Sequence, residues 1–385
     1  MEIRPILSAL MRSKVALVLI GLQIALTLAI VSNALFIINQ RIENMGRASG
    51  MNEADTFMIA SLGFGANYEV KNAYADDLAT LRGMPGVANA APILTVPMSQ
   101  SGWSEGISLT TTQQNSDVGV AMYFVDEHGI DTYGLKLVAG RNFTADEITL
   151  RERGSTTWSD KMIITQALGE RLWPGQNAVG KQFYLDQEKP PLTVIGVVER
   201  LIMPWPNISN RSGDANAYQF SMLVPQMAPF GLQTRYLVRT EPGRAAEVMK
   251  AVEAKLAQTN TSRIVRDGRL LTDIRAECYR SDRAMLIILI AVIVALLSIT
   301  ALGIVGMASF WVTQRTKQIG TRRALGAVLT YGVNLWLMQA YAAQRLPLAY
   351  LVGGMVALWL LGQLAVFGPA TRASRVPPAV ATRSV

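Results

Sequence analysis

Apolar positions are distributed unevenly along the chain, in long runs at both ends and in short segments between them. Residues 15–40 carry no charged side chain, and neither do residues 284–314. Two further apolar runs cover 324–344 and 346–371, the first of which is interrupted by glycine and asparagine. A helix of about 20 apolar residues crosses the hydrocarbon core of a bilayer. The pattern therefore predicts four membrane-spanning helices.

These runs are longer than two other kinds of apolar segment that could be mistaken for a membrane span. The core of a secretory signal peptide has about 7–15 residues, and a buried helix of a soluble protein is usually shorter than a span as well. The 26 residues of 15–40 are too many for a signal peptide, so we expect an uncleaved span.

Basic residues at the ends of the runs predict the orientation of the chain. Positive charge favours the cytoplasmic side of a span. With four spans, the N-terminal flank, the loop after the second run and the tail lie on one side, where they carry ten basic residues and one acid. We therefore expect cytoplasmic segments at 1–14, 313–327 and 370–385, spans at 15–40, 284–312, 328–344 and 346–369, and an extracytoplasmic domain with its stalk at 41–283.

The segment between the first two runs has the pattern of a mixed α and β domain. Short apolar runs predict strands, and amphipathic periodicity predicts helices. Strands are expected after the turn at 85–86 and at 161–165, 192–198 and 236–239, helices at 75–82, 167–172 and 244–257, and solvated or partner-binding loops at 102–114 and 201–216. Helical character at 37–45 and 270–281 predicts a stalk that extends the first two spans, the alternative being a flexible linker.

Composition excludes several kinds of chemical site. With one cysteine, Cys278, and one histidine, His128, the chain has no internal disulfide and no cysteine- or histidine-rich metal site. Phosphate-binding, zinc-protease and nucleophile-elbow motifs are absent. Adjacent acids at 76–77 and 126–127 point in different directions, so we expect them to be solvated, His128 to lie at the surface and Cys278 to be an ordinary thiol. The runs contain no acidic or basic residue, which argues against an ion-coupled transporter.

The net charge of +8 reflects the membrane flanks rather than a nucleic-acid site. Outside those flanks, 26 basic and 27 acidic residues nearly balance. Nucleic-acid binding requires a basic face on a folded domain, and the sequence shows none. We expect no nucleic-acid partner, and we expect the basic ends to contact anionic lipid headgroups.

The loop after the second run carries the most distinctive motif. Its residues 313–327 read TQRTKQIGTRRALGA. This segment resembles the cytoplasmic loop after the second span of MacB/FtsX-type ABC transporter permeases, with Gln318 where that family usually has Glu. The central segment is similar to the MacB-type periplasmic core domain in LRGMPGVANAAP, GLKLVAGRNF, IITQALGERLWPGQNAVGKQF and TVIGVVE, and the tail PATRASRVPPAVATR resembles the family's C-terminal pattern.

The resemblance, which covers almost the whole chain, implies a fold class and an assembly. The fold is a membrane protein with an α-helical four-span region and a large α+β extracytoplasmic domain on a helical stalk, built from a porter-like part and an inserted second lobe. Two permeases pair, as a homodimer or heterodimer, in the bacterial inner membrane with residues 41–283 in the periplasm. Because the chain lacks a phosphate-binding loop and begins just before the first span, ATP and Mg²⁺ are expected on a separate cytoplasmic ABC ATP-binding subunit. We expect no cofactor, metal or catalytic residue in this chain.

The resemblance also implies a role for the loop motif, which would couple the permease to that subunit. Apolar side chains would enter a cleft of the ATPase, and basic side chains would pair with its acids. The expected coupling residues are Gln314, Arg315, Lys317, Gln318, Ile319, Gly320, Arg322, Arg323, Ala324, Leu325 and Gly326. Alternatively, the basic residues only anchor the loop on the cytoplasmic side.

One departure from the family affects the third span. The family has a longer stretch between RRALGA and the middle of that span, whereas here Ala327 is followed at once by Val328-Leu329-Thr330. Either the protein has a deletion, or a segment is missing between Ala327 and Val328. The second interpretation predicts a break wider than the ~3.8 Å between bonded Cα atoms.

Three functions fit the resemblance. The first is ATP-driven, mechanotransmission-type export of a drug, peptide or similar periplasmic substrate, through an adaptor and an outer-membrane channel. The second is extraction of lipoproteins by the same architecture, and the third is a non-transporting transducer that regulates a cell-wall hydrolase or passes a signal. Transducers often have a smaller external domain, so the length of 41–283 favours the first two, and we expect export.

Overall fold

The computed structural model describes two compact units, one formed by Met1–Met45 with Ser281–Val385 and the other by Gly46–Arg280. The described residues are 14–65, 68–111, 118–152, 154–155, 157–185, 190–208, 214–314, 349–350, 352–357 and 360. The helices are α1 (Lys14–Met45), α2 (Val70–Arg82), α3 (Gly129–Tyr133), α4 (Gln166–Leu172), α5 (Ala245–Thr259), α6 (Leu271–Cys278) and α7 (Arg280–Gln314).

Thirteen strands are described, and all belong to the second unit. In chain order they are β1 (Thr56–Gly63), β2 (Val87–Pro92), β3 (Trp103–Ser108), β4 (Val118–Phe124), β5 (Leu137–Gly140), β6 (Thr149–Leu150), β7 (Lys161–Thr165), β8 (Gln182–Leu185), β9 (Leu192–Val198), β10 (Ser221–Val224), β11 (Gln226–Met227), β12 (Gln233–Thr240) and β13 (Arg263–Leu270). The second unit is therefore an α+β unit, as the sequence predicts.

The first unit is helical wherever it is described. Two of its segments, Gly21–Met45 and Arg280–Gly306, are long and apolar enough to cross a membrane by length and composition. The third predicted span and most of the fourth lie outside the described residues, so the four-span arrangement stays a prediction. The described part of the fourth run contacts α1, where the rings of Phe36 and Tyr350 have centroids 5.7 Å apart.

The α+β unit contains a four-stranded antiparallel sheet with the strand order β13-β1-β12-β2. The chain forms it by two strand–helix–strand passes, β1-α2-β2 and β12-α5-β13, which is a split βαβ topology. Both helices bury apolar side chains against the sheet, and the shared core consists of Phe57, Ile59, Tyr74, Leu78, Leu81, Ala90, Tyr236, Val238, Val248, Val252 and Leu256. This sheet with its two helices is called the porter lobe below.

The chain between β2 and β12 forms a second lobe, which confirms the predicted insertion. Seven strands pair in the order β5-β9-β7-β10-β4-β3-β8, and β8 also pairs with β9. Because β8 pairs with both β3 and β9, the pairings run around a ring of six strands, to which β5 adds at β9. Strands β6 and β11 form a small separate pair. This part of the chain is called the inserted lobe below.

Several predicted elements are confirmed, and one predicted loop is wrong. Strands β7 and β9 cover 161–165 and 192–198, and α5 buries Val248, Val252 and Leu256. The helical character at 37–45 and 270–281 is confirmed by α1, α6 and α7. The predicted loop at 102–114 instead begins with β3, because backbone pairing with β4 and β8 outweighs a polar composition. In the second predicted loop, 201–216, the first three residues are buried rather than solvated.

Candidate functional site

The predicted coupling loop lies almost entirely outside the described residues. Gln314 is described as the last residue of α7. The other predicted coupling residues fall in 315–326, and the predicted break between Ala327 and Val328 is also outside the described part of the chain. Their role therefore stays a prediction. The described contacts that bear on function lie between α1 and α7 and within the α+β unit.

Helices α1 and α7 contact each other through small and polar residues. The hydroxyls of Thr27 and Thr300 are hydrogen-bonded at 2.8 Å, and both residues are buried. One turn away, Gln23 lies so close to Gly303 that a Cβ at Gly303 would be 2.9 Å from the Gln23 amide nitrogen. Small residues let helix backbones approach in a membrane, and hydroxyl pairs bond across such contacts. The two helices therefore pack directly against each other, although the whole α+β unit separates them in the sequence.

An ion pair joins the same two helices at the end of their apolar runs. Arg41 of α1 donates from Nη1 to the carboxylate of Asp282 of α7, which is only 5% exposed. At 1.5 Å rise per residue, Arg41 lies about 21 Å along α1 from Thr27. The two helices are therefore in contact at two levels along α1.

A second ion pair lies where the chain enters and leaves the α+β unit. Arg275 of α6 donates from Nε and Nη2 to the two carboxylate oxygens of Glu53, at 2.6 and 2.7 Å. Its Nη2 also donates to the Arg47 carbonyl at 2.8 Å. The Glu53 carboxylate is the main reason that the pKa of Arg275 is raised. The segment after α1 and the helix before α7 are thus bonded together.

The same segment after α1 also contacts the inserted lobe. Arg47 donates to the Pro206 carbonyl at 3.1 Å, and its guanidinium lies 3.9 Å from the centre of the Tyr218 ring. The Ser49 carbonyl accepts a hydrogen bond from the Ile202 amide at 3.0 Å. The term junction is used below for Arg47, Ser49, Glu53 and Arg275. The junction binds both chain connections to each other and to the inserted lobe.

Near the junction, the linker from β2 to β3 is held in a strained conformation. Met98 and Gln100 have φ angles of 64° and 60°, a region that residues other than glycine seldom adopt. The inserted lobe fixes them, since the amide of Gln100 donates to Pro204 at 2.9 Å. The Gln100 side chain in turn lies 3.0 Å from Cys278 Sγ, at the end of α6. Strain of this kind marks functional sites more often than ordinary surface.

The predicted solvation of the adjacent acids is wrong for one member of each pair. Asp77 is buried in the porter lobe, where Arg263 pairs with it and the Tyr236 hydroxyl donates to it at 2.6 Å. Asp126 is 4% exposed and pairs with Arg82, and burial raises its pKa. Both carboxylates are buried because an arginine far along the chain compensates their charge.

Neither acid belongs to a recognisable catalytic group. The side chain of His128 is 38% exposed and lies 3.7 Å from Glu127. Among the described residues, no cluster of three or more His, Cys, Asp or Glu side chains could hold a metal ion.

Comparison with known families agrees with this architecture. The model of the MacB-like periplasmic core domain matches residues 16–255. The chain belongs to this family. The match covers nearly all of α1, the inserted lobe and the porter lobe as far as residue 255 of α5, whereas β13 lies beyond it.

Two curated relatives are similar to this chain at low sequence identity. The macrolide export ATP-binding/permease protein MacB of Neisseria gonorrhoeae is 24% identical over 94% of this chain and 51% of its own length. The probable syringafactin export ATP-binding/permease protein SyfD of Pseudomonas syringae is 22% identical over 81% of this chain and 42% of its own length. The chain spans about half the length of the curated relatives it matches.

Two solved structures are also similar. The periplasmic region of MacB from Actinobacillus actinomycetemcomitans is 14% identical with a TM-score of 0.34, and covers 58% of this chain and 94% of its own. The extracellular domain of the ABC-type transporter YknZ from Gram-positive bacteria is 16% identical with a TM-score of 0.33, and covers 55% of this chain and 100% of its own.

Proposed function

We propose that this chain is the permease subunit of an ATP-driven MacB-type transporter of the bacterial inner membrane. It couples ATP hydrolysis by a separate cytoplasmic ATP-binding subunit to movement of its periplasmic domain, and thereby to export of a drug, peptide or similar substrate. The observation that carries the proposal is the junction, in which Glu53 and Arg275 bond the two chain connections together. The family membership and the names of the export proteins above support the same function.

The proposed mechanism requires only that the described contacts transmit a displacement. A movement of α7 is shared by α1 through Asp282–Arg41 and Thr300–Thr27. The junction passes movement of the connections to the inserted lobe through Arg47. The strained linker at 98–101 gives that lobe a place to change conformation at low cost, since strain is relieved when the contacts move.

The proposal includes the remaining expected partners and topology. A second permease pairs with this one, four spans cross the membrane, and both termini are cytoplasmic. A periplasmic adaptor and an outer-membrane channel receive the substrate. The loop with Arg322 and Arg323 docks on the ATP-binding subunit, which holds ATP and Mg²⁺.

The experiment is affinity purification of the tagged chain from gently solubilised native membranes, followed by mass spectrometry and an ATPase assay. We expect an ABC ATP-binding subunit and ATPase activity to co-purify, and an adaptor or channel protein to be enriched. Arg322→Glu/Arg323→Glu should abolish ATPase co-purification, whereas the matched tail variant Arg372→Glu/Arg375→Glu should retain it. Absence of any ATPase from the intact preparation would contradict the proposal. Lipoproteins or a cell-wall hydrolase in place of the adaptor would contradict export.

A further inference from the structure

A cleft of about 710 Å³ lies in the inserted lobe at its boundary with the porter lobe, which contributes Arg235 of β12. It is lined by both linkers that join the lobes, at 93–102 and 228–232, and by side chains of β3, β12 and the loop after β6. Clefts of this size accommodate a drug-sized ligand.

The walls of the cleft carry exposed aromatic side chains. Trp103 is 39% exposed and meets Trp158 edge to face, with ring centroids 6.1 Å apart. Phe124 stacks behind Trp158 at 6.3 Å and fixes that ring. From the second linker, Phe230 is 74% exposed. Exposed aromatic surface gathered in one concave place is typical of a binding site.

A buried cation lies beside the tryptophans. Arg151 is 9% exposed, and its guanidinium lies 3.9 Å from the centre of the Trp158 ring. It donates to the carbonyls of Ser155 and Thr157 and, at 3.2 Å, to the side-chain oxygen of Gln226. No carboxylate of the described residues lies within ion-pairing distance of it. Burial accordingly lowers the pKa of Arg151, although the charge of Glu105 acts in the opposite direction.

The other charged side chains that line the cleft, Arg235, Glu105 and Glu152, form no salt bridge with Arg151. Arg235 also donates to neutral acceptors, the Leu94 carbonyl at 2.9 Å and the Gln233 side chain at 3.2 Å. Of the two acids, Glu105 accepts a hydrogen bond from the Trp103 indole at 2.6 Å, and Glu152 is exposed to solvent. Buried charges in proteins are usually paired, so two fixed arginines without a carboxylate partner among the described residues favour an anionic ligand.

We propose that this cleft binds an aromatic amphiphile that carries a carboxylate. The aromatic body packs against the exposed rings of Trp103 and Phe230, and the carboxylate is attracted to the positive charges of Arg151 and Arg235. The inference that a transported substrate occupies this cleft rests on the proposed function. Binding of the ligand itself requires no ATP-binding subunit.

Isothermal titration of the full chain in lipid nanodiscs tests the proposal, with empty nanodiscs subtracted. Three ligands with one aromatic body, 2-naphthoate, 2-naphthylmethanol and 2-naphthylmethylammonium, separate charge from stacking. We expect the carboxylate to bind roughly tenfold more tightly than the alcohol, because a hydrogen bond to a charged group contributes more than a neutral one. The ammonium should bind more weakly than the alcohol. No binding, or equal binding of all three, would overturn the proposal.

Variants locate the binding within the cleft. Arg235→Gln, at a half-buried position, should weaken the carboxylate roughly threefold to tenfold and leave the alcohol unchanged. Trp103→Leu should weaken all three ligands. Trp173→Leu, a half-buried tryptophan at the end of α4 that does not line the cleft, should change none of them. If neither Arg235→Gln nor Trp103→Leu changes the affinities, the proposed site is refuted. Failure of an ATPase to co-purify would instead refute the proposed function, and these affinities would be unchanged.

Discussion

Arg275 donates two hydrogen bonds to the carboxylate of Glu53, although 222 residues separate them in the sequence. Glu53 follows α1, and Arg275 lies on α6, just before α7. The pair therefore closes the α+β unit at the place where the chain enters and leaves it. Both side chains are mostly buried, at 15% and 24% exposure, so their charges are only partly screened by solvent.

Glu53→Gln should destabilise the α+β unit and weaken the connection between α6 and the segment after α1. The substitution removes the charge that faces Arg275 and leaves a guanidinium with fewer acceptors. We expect a loss of about 1–3 kcal/mol in the free energy of unfolding, measured by urea unfolding of the chain in nanodiscs.

Two variants separate the ion pair from a general effect on folding. Arg244→Gln breaks two exposed pairs, with Glu241 and Glu247, and should leave the free energy of unfolding nearly unchanged, because solvent screens exposed ion pairs. The exchange Glu53→Arg/Arg275→Glu restores opposite charges and should recover part of the lost stability. Equal losses for Glu53→Gln and Arg244→Gln would contradict the assigned importance of the junction.

Asp77→Asn should lower the free energy of unfolding much more than Asp76→Asn, although the two acids are adjacent in the sequence. Asp77→Asn leaves Arg263 as an uncompensated buried charge in the porter lobe, which costs about 3–5 kcal/mol. Asp76→Asn changes an exposed side chain and should stay within about 0.5 kcal/mol. Thermal unfolding of the two variants side by side checks this. Comparable melting temperatures would show that Asp77 is solvated in solution.

A disulfide should form between α1 and α7 at the threonine pair. The hydroxyls of Thr27 and Thr300 are 2.8 Å apart, which brings the two Cβ atoms close to the separation that a disulfide needs. In a Cys278→Ser background, Thr27→Cys/Thr300→Cys should cross-link within one chain on mild oxidation. Leu26→Cys/Thr300→Cys is the control, because Leu26 is 56% exposed. Cross-linking of the control but not of the threonine pair would refute the helix contact.

The stability of the inserted lobe should depend on pH through Glu147. Hydrogen bonds from Arg141, then from Lys161, hold the pKa of Glu147 well below its usual 4.5. A depressed pKa contributes stability above the unfolded-state value, and that contribution is lost as the pH falls through the folded-state value. Glu147→Gln should therefore destabilise the chain at pH 7, and its difference from wild type should shrink below about pH 4.5. Urea unfolding across that range checks this, with the exposed neighbour Asp146→Asn as control.

The sequence predicts those parts of the fold that local pattern decides. The run LTVIGVV is a buried strand because it is continuously apolar, and α5 is found because Val248, Val252 and Leu256 repeat at helical spacing. By contrast, β13 has the sequence RIVRDGRL. Its arginines interrupt the apolar pattern, so the sequence does not predict this strand, which pairs with β1. Serine and glycine in β3 give it the composition of a loop, so the sequence does not predict that strand either.

The candidate site depends on partners that no local pattern reveals. Asp77 looks like a solvated acid in the sequence, since the arginine that compensates it is 186 residues away. The junction and the arginines of the cleft are defined by tertiary contacts in the same way. The coupling loop is the opposite case, since its motif is evident in the sequence and lies outside the described residues.

The central claim is that ATP moves the two lobes of the external domain through the junction. The most direct measurement is the distance distribution between spin labels at Asp76→Cys on α2 and Glu170→Cys on α4, in a Cys278→Ser background. The chain is reconstituted with its ATP-binding subunit, and distances are recorded with and without ATP. We predict that ATP shifts the distribution, and that Glu53→Gln reduces the shift while ATP hydrolysis continues. An unchanged distribution during active ATP hydrolysis would contradict the account.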